Sequence, residues 1–180
     1  MAEVKGKFIT LAAELLTSKH GVRSAAIGAI RRVTGKSPRE LEPEGWYDTN
    51  VLNGFFSAVE SYESPLVAWA AIRVIGRNVY PAVDAIEGSP KRLRTPLNLL
   101  KSEAEVFLRY HRGSDVVPRK FLQSEDRCII VEAPSPGYNC ALIEGVFDGI
   151  LCMCHITHGT VKQTKCIRKG DSTCEYTIQW

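Results

Sequence analysis

The sequence predicts an α/β (α+β) fold in which N-terminal helices pack on a small, mainly antiparallel C-terminal sheet. Three observations carry this. Apolar residues recur at three- and four-residue spacings through most of the first 112 residues, which is the helical period. Near residue 115 the texture changes to short runs punctuated by Gly, Pro and Asp. Finally, 161–167 and 174–178 alternate with a period of two on either side of Gly170-Asp171, as a terminal hairpin does, and a helix over 141–156 precedes them.

Within the helical part, Phe8, Leu11, Ala12, Leu15 and Leu16 predict a first helix that stops at Lys19-His20-Gly21, with the glycine as its cap. Ala26, Ile27 and Ile30 predict a second, from Arg23 to Val33, broken by Gly35 and Pro38. Asp48 or Thr49 can cap a third, which carries Val51, Leu52, Phe55, Phe56 and Val59. Pro65 starts a fourth, in the turn where its missing N–H costs nothing. Leu66, Val67, Trp69, Ala70, Ala71, Val74 and Ile75 leave that helix little polar face and predict a central position. A fifth runs from Leu97 to Tyr110 and ends at Arg112-Gly113. Beyond it, 127–132 reads as a strand and Pro134–Gly137 as a turn.

At 180 residues the chain suits a single domain, mainly helical over 1–112 and mixed over 113–180. With 44% apolar and 24% charged residues it has an ordinary globular composition, and no run approaches the roughly 18 apolar residues of a membrane span. Met1-Ala2-Glu3-Val4-Lys5 lacks the features of a signal peptide, which favours the cytoplasm and reduced cysteines. A formal charge of +3 is too even for a nucleic-acid footprint, and the basic run Lys91-Arg92-Leu93-Arg94 reads as a solvated segment.

Six cysteines carry the most pointed signal. Cys140 opens the last helix, while Cys166 and Cys174 flank the turn of the terminal hairpin, whose strands fold the two sulfurs toward each other. A thiol at a helix N-terminus is helped toward thiolate, the form that binds zinc. The same spacing also suits small core residues. Cys128 reads as core, Cys152 and Cys154 as core and boundary residues, and His155 and His158 as polar helix-end residues.

The segments 139–149 and 159–176 resemble the C-terminal signature of the 4-vinyl reductase (V4R) domain family, in which a cysteine precedes a glycine-punctuated helix and a strand runs into Cys, Gly-Asp and Cys. Relatives there that sense aromatic compounds bind zinc through three cysteines and an acidic residue. The resemblance therefore implies a structural zinc on Cys140, Cys166 and Cys174. The acidic position falls on Gln163, a poorer ligand than a carboxylate or thiolate, so either the metal is lost or Cys154, His155, His158 or Gln163 itself supplies the fourth bond. Over the first hundred residues Lys5-Gly6-Lys7-Phe8, His20-Gly21 and Gly76-Arg77 are similar to landmarks of the wider superfamily, which includes haem nitric-oxide/oxygen (H-NOX) domains and TRAPP transport subunits.

The sequence argues against haem held in the H-NOX manner. Counting back from Pro118 puts the proximal position near Glu105, with His111 about six residues too late, and no Tyr-x-Ser-x-Arg motif for the propionates stands where it is required, over Ile129–Ala133. The resemblance instead implies a pocket for a small apolar or aromatic molecule, and Trp69, Arg73, Phe107, Tyr110 and His111 are the candidate lining residues. No G-x-G-x-x-G nucleotide fingerprint follows a strand, which argues against a self-sufficient reductase. The expected role is a ligand-binding regulator acting through a homodimer or a separate output protein. A tetrapyrrole-binding protein or vinyl reductase is the alternative, and an assembly subunit the third reading.

Overall fold

The computed structural model describes residues 1–17, 20–88 and 95–180. Six α-helices span Gly6–Leu15 (α1), His20–Thr34 (α2), Asn50–Tyr62 (α3), Pro65–Glu87 (α4), Pro96–Tyr110 (α5) and Cys140–Met153 (α6). Seven strands span Glu3–Lys5 (β1), Trp46–Asp48 (β2), His111–Arg112 (β3), Lys120–Glu125 (β4), Cys128–Glu132 (β5), Thr160–Lys165 (β6) and Glu175–Gln179 (β7). They form two antiparallel sheets, ordered β2-β1-β3 and β4-β5-β7-β6, so the fold is the α+β class read from the sequence. No helix among the described residues is long and apolar enough to cross a membrane.

Alternation builds the larger sheet's inner face. Ile129 and Val131 of β5 pair with Ile178 and Tyr176 of β7, and Val161 of β6 pairs with Ile178. All five are buried, while their neighbours on each strand are more exposed, so one face packs inward and the other meets solvent. Helix α6 lies on that inner face, with the ring of Phe147 edge-on to Tyr176 at 5.4 Å. Every residue of α6 from Ala141 to Leu151 except Asp148 is buried.

Three glycines permit this burial. A Cβ at Gly76 of α4 would collide with the Leu142 carbonyl and the backbone of Gly145; one at Gly145 would strike the Arg73 carbonyl, and one at Gly149 the Arg77 carbonyl. Gly145 and Gly149 lie one turn apart on α6, and without side chains the two helix backbones touch.

Two readings of the helices are corrected here. Helix α6, and not α4, is the helix buried on nearly every side. The apolar residues of α4 divide between a buried stripe (Ala68, Ile72, Ile75, Tyr80, Val83) and an outward face that exposes Leu66, Val67, Trp69 and Val74. Gly21 does not end the first helix. It sits in the first turn of α2, and α1 ends when Leu16 turns extended and its N–H reaches the Ala12 carbonyl. Lys19 and the basic run Lys91–Arg94 lie outside the described residues. The three strands of the smaller sheet were not foreseen; two or three residues are too short to display a period of two.

Replacing Gly145 with alanine should cost about 2 kcal/mol or more, because the colliding atoms are backbone. Gly54→Ala in α3, where an added Cβ meets only the Ala29 Cβ at 4.0 Å, should be neutral or gain about 0.5 kcal/mol. Urea unfolding midpoints of the two variants check this, and equal effects would contradict the packing described.

Candidate functional site: an apolar cavity with a half-buried histidine

Between α1, α3, α4, α5 and α6 the core leaves a cavity of about 70 Å³. Its walls are apolar: Phe8 comes from α1, Phe56 from α3, Ile75 from α4, Val106 from α5 and Ile143 and Val146 from α6. One end is polar and holds His111, Tyr138, Glu103 and Arg119.

The local fold explains the place of His111. Helix α5 stops at Tyr110, and His111 turns extended (φ −127°, ψ 146°) to pair with Val4 of β1. The ring lies back against the helix, stacked on Phe107 with centroids 4.2 Å apart. Its Nδ1 lies 2.9 Å from the Phe107 carbonyl oxygen and its Nε2 lies 2.9 Å from the Tyr138 hydroxyl. A carbonyl only accepts, so Nδ1 carries the proton, and in the neutral ring Nε2 accepts from Tyr138. Burial first, and then the positive charge of Arg119, lower the imidazole pKa to about 4, although the bond to Phe107 opposes the shift. Burial likewise raises the Tyr138 hydroxyl, which stays a donor.

Arg119 is the buried charge beside this pair. Its guanidinium donates to both Glu103 oxygens, at 3.1 and 3.4 Å, and to Ser135 Oγ at 3.0 Å, and it lies 4.0 Å from the centre of the Phe107 ring. With side-chain exposures of only 2% and 7%, neither Arg119 nor Glu103 can lose its partner without leaving an uncompensated buried charge.

The five residues read from the sequence as pocket lining fall in three places. Phe107 and His111 line the cavity. Tyr110 faces a neighbouring groove, under Lys7 Nζ at 3.8 Å and beside Phe8 at 5.3 Å. Trp69 and Arg73 stand at an open cleft of about 680 Å³ on another face, where Arg73 pairs with Asp148 at 3.0 Å and lies over the Trp69 ring. Arg119, Glu103, Ser135 and Tyr138 were missed, because they are scattered through the sequence and meet only in space.

The cleft reaches a thiol cluster. Asn139 caps α6 by accepting from the Ala141 N–H, which sets Cys140 at the helix start. Cys166 directly follows β6, its N–H held by Asp171 Oδ2 at 2.7 Å, and Gly170 at φ 98° turns the chain back toward Cys174. Cys140 Sγ and Cys166 Sγ are 3.4 Å apart, and all three sulfurs lie within 4.8 Å of one another. Through its hydrogen bond from Cys140, Cys174 is lowered to about 7, and Cys140, the donor, is raised.

Cys154, His155 and His158 lie beyond the opposite end of α6, the histidines exposed. Gln163 stands closer, its amide 3.5 Å from the Tyr176 hydroxyl. Among the described residues no imidazole or carboxylate completes the three thiols. Cys128 is half-buried on β5, and Cys152 is exposed and accepts from Arg77 at 2.9 Å.

No protein-family model matches the sequence, and no curated protein matches it. Solved structures do match along nearly the whole chain. An H-NOX structure from a study of haem distortion superposes with a TM-score of 0.71 at 16% identity, covering 98% of this chain and 94% of its own. An H-NOX protein from S. oneidensis in the Fe(II)NO state gives 0.70 at 13% identity, covering 97% and 98%. A Shewanella oneidensis H-NOX domain in the Fe(II)CO state gives 0.67 at 14%, covering 97% of each. The fold is therefore H-NOX-like.

This corrects two expectations. The likeness is to H-NOX structures and not to V4R domains, and the cofactor expectation of zinc without haem is overturned with it, since the matching structures are haem proteins. The sequence argument against haem rested on spacing. It placed the proximal position at Glu105, which is exposed on α5, whereas the helix-to-strand turn at residue 111 brings an imidazole into the cavity.

The His111 environment fixes a pH dependence. The folded ring holds its pKa near 4 while the unfolded ring titrates near 6.5, so its contribution is intact above 6.5 and is lost as pH falls through 6.5 toward 4, by at most about 3 kcal/mol. His111→Leu should lose stability uniformly by stranding the Tyr138 hydroxyl, and should lack that acid-side decline. Chemical denaturation at pH 4.5, 5.5, 6.5 and 7.5 checks this, and parallel curves for the two proteins would contradict it.

Proposed function

We propose that this chain is a small-molecule-binding sensory domain whose ligand occupies the cavity at His111, and that haem or a related metallated tetrapyrrole is the ligand class. The state of His111 carries the reading. Its Nδ1–H is fixed on a backbone carbonyl, its ring is stacked on Phe107, and its Nε2 is unprotonated at neutral pH and lies at the polar end of the cavity. A histidine so held is ready to ligate a metal through the second nitrogen. The whole-chain likeness to H-NOX structures supports the same ligand class.

The other residues fit the group. Ser135, Tyr138 and Arg119 supply in space the residue types that the Tyr-x-Ser-x-Arg motif supplies in sequence, and Arg119 is the cation that would hold ligand carboxylates. To do so it must exchange its bond to Glu103. Tyr138 must release Nε2, and because Asn139 alone separates it from Cys140, that movement is passed to the first turn of α6. When bound, haem supplies an iron able to take a diatomic gas. Output would pass through a homodimer or a separate partner.

A second reading rests on the size of the cavity. About 70 Å³ is nearer to a single small ring than to a macrocycle, so a small apolar or aromatic molecule asks for a smaller adjustment of the walls than a tetrapyrrole, which requires the helices around the cavity to part.

Titration with haemin, followed by absorption, separates the two. The tetrapyrrole reading predicts one saturable Soret band per chain, with His111→Ala weakening binding about tenfold or more and changing the band, and Cys140→Ser without effect on either. Equal binding by His111→Ala contradicts the role given to His111. Absence of a specific band together with a rise in melting temperature on adding phenol favours the second reading.

A further inference from the structure

Away from the cavity, residues of α3, α4, α6 and β6 surround the open cleft of about 680 Å³, a volume that takes a ligand of mononucleotide size. One wall is aromatic. Trp69 of α4 carries the Arg73 guanidinium 4.8 Å from its ring centre and keeps 39% of its surface exposed, so ring surface remains for a second planar group. Arg73 bonds Asp148 through one terminal nitrogen, while its Nε–H is buried without an acceptor among the described residues, so the guanidinium is not locked by a full set of bonds.

Positive charge collects on the hairpin side. Lys162 of β6 and Arg168 and Lys169 of the short turn Ile167–Lys169 line the cleft, and all three are exposed. Two acids share the cleft, and each has a cation beside it. Glu60 of α3 pairs with Arg168 at 3.3 Å and accepts from the Asn139 amide at 2.7 Å, while Glu144 of α6 is 9% exposed and lies in the field of Arg73. Lys162 and Lys169 have no ion-pair partner among the described residues, and they leave this side of the cleft with an excess of positive charge. A concave surface of one sign concentrates ions of the other.

We propose that the cleft binds a free mononucleotide, with the base lying on Trp69 and the phosphate meeting Lys162 and Lys169. A base gains from stacking on indole whatever its edge pattern, and a phosphate gains from two ammonium groups that give up no other partner. An inorganic anion would leave Trp69 unused, and a neutral aromatic would leave the lysines unused; both in one cleft select a ring that carries phosphate. A nucleic-acid strand would need a basic track along the surface, and the chain's charge of +3 supplies no such footprint. The cleft lies on another face than the cavity at His111, so this site goes beyond the function proposed above.

Calorimetric titration of the full chain, free of haem and at low salt, tests this with AMP, adenosine, inorganic phosphate and a short oligoadenylate as probes. The expected result is one AMP per chain, with adenosine and inorganic phosphate each bound about tenfold or more weakly. Lys162→Glu combined with Lys169→Glu, both at exposed positions, should weaken AMP by about tenfold or more and flatten its salt dependence. Trp69→Ala should weaken AMP and leave phosphate unchanged, and Lys101→Glu, exposed on α5, should leave AMP binding as it is. Failure of the unsubstituted protein to bind AMP, equal binding of phosphate or adenosine, undiminished affinity in the double variant, or tighter binding of the oligoadenylate than of AMP would each overturn the proposal. All but the third of these are read on the unsubstituted protein, so the test stands even where Trp69→Ala fails to fold.

Discussion

Gly76 on α4 meets Gly145 on α6, and Gly149 one turn later meets the backbone of Arg77, so two helices touch without side chains between them. That contact lets α6 sink between α4 and the inner face of the larger sheet, where Phe147 reaches Tyr176. The rest of the site geometry depends on it. The buried helix presents Leu142, Ile143 and Val146 to the cavity and Cys140 to the cleft, and Tyr138 just before it reaches His111. A methyl group between the helices would displace both sites at once.

Within the cavity, electrostatics are arranged to keep an imidazole neutral. Desolvation disfavours the imidazolium, and the guanidinium of Arg119, itself neutralised by Glu103, adds to the penalty. The carbonyl of Phe107 fixes the tautomer and the Tyr138 hydroxyl occupies the remaining lone pair. What results is an apolar void with one potential metal donor and one buried cation at the same end, and the tetrapyrrole reading rests on that combination.

Helices were legible wherever a three-to-four period ran long enough: α5 starts one residue before its sequence reading and ends with it, and α3 begins directly after Thr49, one of its two candidate caps. The terminal hairpin was legible because Val161, Tyr176 and Ile178 alternate with polar neighbours. Periodicity could not say which apolar helix is the buried one; α4 carries more apolar residues than it buries, and the glycines that let α6 sink read as ordinary punctuation. The thiol cluster was visible because a hairpin and a helix start constrain where sulfurs go. The cavity's polar end was not, since Arg119, Ser135 and Tyr138 belong to segments whose approach only the fold determines. His111 was singled out as a lining residue, and the structure places it in the cavity wall where α5 turns into β3, a turn that the spacing used to place a proximal residue did not anticipate.

Hydrogen–deuterium exchange of the full chain with and without saturating haemin tests most directly whether the cavity at His111 is the ligand site. The account predicts new protection centred on peptides covering Val106–Arg112 and Tyr138–Val146 and reaching the other cavity walls at Phe8, Phe56 and Ile75, with little change on the exposed face of α4 around Leu66 and Val67. Protection centred on that exposed face, or spread evenly over the surface, would contradict it.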